Sequence, residues 1–183
     1  MFKYAGIIYD DTSNGEGVGA VLFTQGCTHH CKGCHNPETW DFNQGLDFTI
    51  DIENDLFNYF NIPFATRLTL SGGDPIDNYE FSYYIAEKFK KLYPNKELWL
   101  FTGYTIDDLY NLNRSEILTF IDVLVDGPFI LSERDITLKF RGSKNQNLYR
   151  KVNNQFKKEE WLTPLKFDTY LKAFADMQNQ FFW

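Results

Sequence analysis

Three cysteines, three histidines and two methionines are all that this chain of 183 residues holds of those types. An odd set of three cysteines cannot close into internal disulfides. Basic residues are outnumbered too: 18 Lys and Arg against 25 Asp and Glu leave a net charge of −7. That balance argues against a nucleic-acid partner, which would need a basic surface. No stretch approaches the roughly 18 consecutive apolar residues that read as a membrane span. Nor does Met1 to Gly6 begin a signal peptide. There is no internal repeat, no low-complexity tract, and no triad or carboxylate pair for acid–base catalysis. A hydrophobic fraction of 43% with 18% aromatics excludes a disordered chain and predicts one domain with an aromatic-rich core.

The cysteines that are present stand together. Cys27, Cys31 and Cys34 fall in the stretch GCTHHCKGC. Thiolates this close in sequence are close in space in any fold, which suits a metal or a metal cluster. Free thiols without an export signal point to the cytoplasm. Three ligands are one short of a closed tetrahedral site. His29, His30 and His35 lie inside or beside the stretch, so a Cys3His zinc site is available on paper. The competing reading is a [4Fe–4S] cluster held by three cysteines, with one iron left free of protein ligands.

Along the chain, strand-like and helix-like segments alternate. Phe2 to Tyr9 reads as a strand, DDTSNGEG as a turn, and Val18 to Thr24 as a buried strand leading into the cysteines. A helix is predicted from about Ile50 to Phe60, then a short strand from Arg67 to Leu70 running into Ser71-Gly72-Gly73-Asp74-Pro75. A second helix spans about Asp77 to Leu92, and Leu98 to Phe101 is the next strand. Thr105 is an N-cap for a short helix through Leu109. Strands are read at Ile121 to Val125 and Ile136 to Phe140, followed by a polar stretch from Asn145 to Glu160 and a last helix after Thr163-Pro164. The alternation predicts an α/β fold with a mainly parallel sheet. A complete eight-stranded barrel needs about 250 residues, so this chain fits a partial, open one. Residues 1–150 read as a core domain, and 151–183 as a C-terminal extension packed on or beside it.

Cysteines spaced C-x3-C-x2-C after a strand, together with Gly72-Gly73-Asp74-Pro75 after another, resemble the radical S-adenosylmethionine (SAM) enzymes. The further stretches WLFTGYT, DVLVDGPF and FRGSKNQ, in order with GCTHHCKGCHNPETW, resemble one subgroup, the activating proteins of anaerobic ribonucleoside-triphosphate reductases. The match runs from about Gly15 to Gln146.

The resemblance implies that Cys27, Cys31 and Cys34 ligate a [4Fe–4S] cluster whose open iron binds SAM. Gly33, Cys34 and His35 would form the loop beneath the adenosyl group. His35 stands where many members carry an aromatic residue. Ser71, Gly72, Gly73 and Asp74 would hold the methionyl end, with Thr102 and Gly103 on the cofactor wall, Asp126 near the methionyl carboxylate, and Arg141 in the last motif. The implied activity is reductive cleavage of SAM and hydrogen abstraction from a backbone glycine of the reductase large subunit. A flavodoxin-type protein would supply the electron. Phe156, Trp161, Phe182 and Trp183 either dock the partner or cover the sheet. Two other functions stay open: a small radical SAM enzyme acting on a small molecule of the deazapurine type, and a zinc-stabilised binding module without catalysis.

Overall fold

The computed structural model describes residues 2–159. The predicted helix after Thr163-Pro164, and Trp161, Phe182 and Trp183, lie outside the described residues. Eight strands form one sheet: β1 (Lys3–Asp11), β2 (Val18–Thr24), β3 (Leu46–Asp47), β4 (Ala65–Gly72), β5 (Glu97–Phe101), β6 (Val123–Asp126), β7 (Asn147–Val152) and β8 (Gln155–Lys158). Their spatial order is β3-β1-β2-β4-β5-β6-β7-β8.

The fold is α/β, but its sheet is mixed rather than mainly parallel. The β2–β4, β4–β5 and β5–β6 pairings at the centre are parallel. The flanking pairings, β1 with β2 and β3, β6 with β7, and β7 with β8, are antiparallel. On one side the difference lies in β1, antiparallel to both of its neighbours; on the other it lies in two segments. Ile136 to Phe140 is irregular instead of a strand, with Ile136 86% exposed and Phe140 at a φ of 58°. The polar stretch after Asn145 is a hairpin. Its two-residue turn, Asn153-Asn154, has φ values of 51° and 59°, a conformation asparagine tolerates better than most residues.

Three α-helices connect the parallel strands: α1 (Ile50–Tyr59), α2 (Tyr79–Leu92) and α3 (Ile106–Asn111). Thr49 caps α1 by accepting from the Ile52 N–H, and Thr105 forms a capping box with Asp108 at the start of α3. Leu56 and Phe57 on α1, and Phe81, Ile85 and Phe89 on α2, recur at helical spacing and are buried. They pack on Leu22, Leu68, Leu70, Leu98, Leu100 and Leu124 of the sheet, with Phe60 and Phe89 edge to face at 4.9 Å. Each fully buried side chain of this size contributes about 1.5–3 kcal/mol. The aromatic-rich core expected from the composition is here.

The other face of the sheet carries a smaller cluster of Trp99, Val123, Val125 and Leu148, with Phe101 and Phe140 packed against it. This face opens into the cavity described next. No helix among the described residues is long and apolar enough to cross a membrane.

Candidate metal centre

The parallel register places the cysteine loop and the glycine strip side by side. β2 and β4 pair Phe23 with Ser71 and Thr24 with Gly72, so both chains leave the sheet at one edge. Beyond it, the Gly73 N–H donates to the Thr24 carbonyl at 2.8 Å and the Asp74 N–H to the Gly26 carbonyl at 2.9 Å. A side chain at Gly73 would collide with that Gly26 carbonyl, and Gly72 sits at a φ of 108°. The two glycines are therefore needed for backbone to meet backbone here.

The cysteine loop closes on itself. The Gly26 N–H donates to Thr39 O at 2.7 Å, the Cys27 N–H to Trp40 O at 3.1 Å, and buried Gln25 donates from Nε2 to Asp41 O at 2.7 Å. Asp77 then fixes the loop's next residue, accepting from the Thr28 N–H at 2.7 Å and from its hydroxyl. Tyr104 Oη donates to the same carboxylate at 2.7 Å.

These loops enclose a cavity of about 450 Å³. Of the residues singled out in the sequence, Cys27, Cys31, Gly33, Cys34, His35, Ser71, Gly72, Gly73, Asp74, Thr102, Gly103 and Arg141 line it. Asp126 does not. Its buried carboxylate accepts from the Ile106 N–H at 3.0 Å and from Asn147 Nδ2 at 2.9 Å, joining the start of α3 to β7, and burial raises its pKa. Asp74 is 2% exposed and fully engaged: it accepts from the Thr102 hydroxyl at 2.9 Å, the Gly103 N–H at 2.8 Å and the Ile76 N–H at 2.9 Å. His29 Nε2 stands 3.0 Å from its Oδ2, although the ring N–H is not directed along that line. The neighbouring carboxylate raises the His29 pKa, with burial opposing.

The Asn36 N–H donates to Cys34 Sγ at 3.4 Å, while the backbone N–H groups of His29 and His30 near Cys27, and of Phe129 near Cys31, favour the thiolate forms. Burial nevertheless pushes the Cys27 thiol up to about 11 and raises Cys31 as well. Without a metal the Cys27 thiol stays protonated at neutral pH, whereas a coordinated thiolate gives up its proton. Three thiols lining one cavity, one of them accepting a backbone N–H, are a donor set that fits a cluster. No group of three or more His, Cys, Asp or Glu among the described residues is gathered to hold a single metal ion. A cluster attaches its thiolates to separate irons and does not need them to converge on one point. Of the other two imidazoles, His30 packs on Trp40 at 4.8 Å and His35 stands 6.4 Å from Phe129.

Sequence reading missed part of the wall. Ser13 and Asn14, from the stretch taken as a simple turn, line the cavity, as do Trp40, Phe129, Phe140 and Gln146. No spacing rule marks them. Asn14 is held there because its carbonyl accepts from buried Arg67 and from Thr69.

A strand-end cysteine loop facing a glycine strip across such a cavity is the arrangement of an iron–sulfur domain, and residues 13–149 match the family model described as a 4Fe-4S single cluster domain. The chain is 42% identical over 144 residues to the anaerobic ribonucleoside-triphosphate reductase-activating protein of Haemophilus influenzae, covering 76% of this chain and 92% of that protein. To the protein of the same name from Escherichia coli K12 it is 38% identical over 140 residues (74% and 90%), and to that of Enterobacteria phage T4, 36% over 151 residues (80% and 93%). The chain belongs to this family of activating proteins.

Proposed function

We propose that this protein activates an anaerobic ribonucleoside-triphosphate reductase, and that Cys27, Cys31 and Cys34 hold a [4Fe–4S] cluster to do so. Bound there, a reduced cluster with one iron free of protein ligands supplies reductive cleavage of SAM and hydrogen abstraction from a backbone glycine of the reductase large subunit. The observation that carries this reading is the set of three thiols sharing one cavity with the Ser71–Asp74 strip.

The chain's own part is placement and shelter. Gly33, Cys34 and His35 form the loop side for the adenosyl group. Ser71, Gly72 and Gly73 present backbone to the methionyl end, and Asp74 sets that backbone by gripping Thr102 and Gly103. Asp126 contributes from below, through α3 and β7. Phe101, Phe129 and Phe140 give the cavity apolar walls that keep water from the reacting atoms.

The parallel centre of the sheet, with its cavity on the face away from the helices, supports a partial open barrel of the radical SAM type. The family match ends at residue 149, which supports a core of residues 1–150 and an extension of 151–183. A net charge of −7 supports a protein rather than a nucleic-acid partner. A flavodoxin-type donor and a cytoplasmic location complete the reading.

Anaerobic reconstitution with iron and sulfide, followed by reduction with SAM present, tests it. Release of 5′-deoxyadenosine is expected, and Cys31→Ala abolishes it. Zinc bound without labile sulfide, and no turnover after reconstitution, would overturn it.

A further inference from the structure

The first half of the cysteine loop is laced to two other loops, and one side chain joins both. His29 lies between Cys27 and Cys31. Its ring packs on Tyr104 at 4.4 Å, its Nε2 stands 3.0 Å from Asp74 Oδ2, and it covers Gly103 so closely that a Cβ there would lie 2.7 Å from the ring. Asp74 in turn fixes Thr102, Gly103 and Ile76, while its own N–H is bound to Gly26. The imidazole is thus seated where the thiol loop, the glycine strip and the end of β5 meet.

We propose that His29 and Asp74 form a clasp that sets the thiol loop and the glycine strip in place as one unit, making His29 a positioning residue for the sulfonium cofactor. The proposal rests on the function given above. A cofactor held between the thiol loop and the Ser71–Gly73 strip would sense any shift between the two. Of the adjacent side chains Thr28 and His29, the first donates to Asp77 and the second packs against Asp74 and Tyr104. The paired attachment fixes the loop in rotation as well as in position. The second half of the loop has no such tie to the strip: Gly33 rests against Leu131, and the Cys34 N–H returns to Cys31 O. The strip's backbone bonds to Thr24 and Gly26 set the loop's entry, and His29 is the side chain that carries the strip's position on between Cys27 and Cys31.

The test compares wild type, His29→Ala and His29→Gln after anaerobic reconstitution, reading iron and sulfide content and then the electron paramagnetic resonance (EPR) signal of the reduced cluster during a SAM titration. Iron and sulfide are expected near wild-type levels in both variants, because the thiols remain. The dissociation constant for SAM is expected to rise about 10–100-fold in His29→Ala, the range for losing a supporting partner of a metal site. His29→Gln, whose amide can still donate to Asp74, recovers part of that loss. Gly103→Ala, which pushes the ring away from outside the loop, weakens SAM binding in the same direction. A His29→Ala titration superimposable on wild type would overturn the clasp. Loss of iron from both His29 variants would overturn it too, by placing His29 in cluster binding itself. A wild-type cluster whose signal ignores SAM would overturn the underlying function, and the clasp with it.

Discussion

Arg67 Nη2 donates both to the carboxylate and to the backbone carbonyl of Asp11, at 2.8 Å each. The guanidinium has no solvent exposure, and its remaining N–H groups go to Glu16 O at 3.1 Å, Asn14 O at 3.0 Å and the Thr69 hydroxyl. One side chain therefore holds the whole 11–16 loop, which carries Ser13 and Asn14 into the cavity wall. Arg67→Met leaves the buried Asp11 charge without its cation and removes a donor from the Asp11, Asn14 and Glu16 carbonyls. It is expected to cost about 3–5 kcal/mol, the range for breaking a buried pair from one side. Urea unfolding measures it, and a loss below about 1 kcal/mol would mean that the loop is held by something else.

The same pair sets an acid limit. Burial pushes the Asp11 carboxyl up, but hydrogen bonds from Asn14 and Arg67 outweigh it and hold the pKa below the ordinary value. An unfolded aspartate titrates near about 3.9. Because the folded value is lower, the stabilisation is complete above that pH and is lost as pH falls through the folded value. Stability measured downward from neutral should drop in this acid window, and the contribution from Asp11 should shrink in Arg67→Met, leaving the part that Asn14 supplies.

Glycine substitutions separate close packing from simple permissiveness. Gly72→Ala places a methyl 2.5 Å from the Thr24 nitrogen at a φ of 108°, and Gly73→Ala drives one into the Gly26 carbonyl. Each is expected to destabilise by about 1–3 kcal/mol and to weaken SAM binding. Gly6→Ala meets nothing within 4 Å and is expected to be neutral or slightly stabilising. Thermal unfolding of the three variants gives the comparison. Equal losses at Gly6 and Gly73 would contradict the backbone contact.

Asp126→Asn distinguishes support from contact. The amide presents a donor toward either the Ile106 N–H or the Asn147 amide, at an expected cost of about 1–3 kcal/mol. SAM affinity should stay within about twofold of wild type, since the side chain lies outside the cavity wall, and a twofold change is below 1 kcal/mol. A large loss of affinity with unchanged stability would reverse this assignment.

What the sequence disclosed followed from local rules. Val18 to Thr24 is a strand with the predicted bounds because a continuous apolar run buried on both faces has no competing pattern. The helix faces of α1 and α2, and the Thr105 cap, were equally readable. The cysteine spacing located the site, since thiols within a span of eight residues cannot be far apart in any fold. The edges were not readable. Ile136 to Phe140 alternates like a strand, yet it is irregular. The β7–β8 hairpin looked like a charged loop, because Arg150 and Lys151 sit in a strand whose burial comes from β6 and from ion pairs with Glu97 and Glu159. Its Asn153-Asn154 turn was the usable signal. Ser13 and Asn14 reach the cavity through a loop that Arg67 and Thr69 hold from 51 to 56 positions away, a relation that no local pattern encodes.

Mixing the reconstituted, reduced protein with the large subunit of an anaerobic ribonucleoside-triphosphate reductase and recording its EPR spectrum decides whether the chain is an activase. A glycyl radical on the reductase is expected, and it requires SAM and all three of Cys27, Cys31 and Cys34. A fully loaded protein that cleaves SAM but leaves the reductase without a radical would contradict the activase reading.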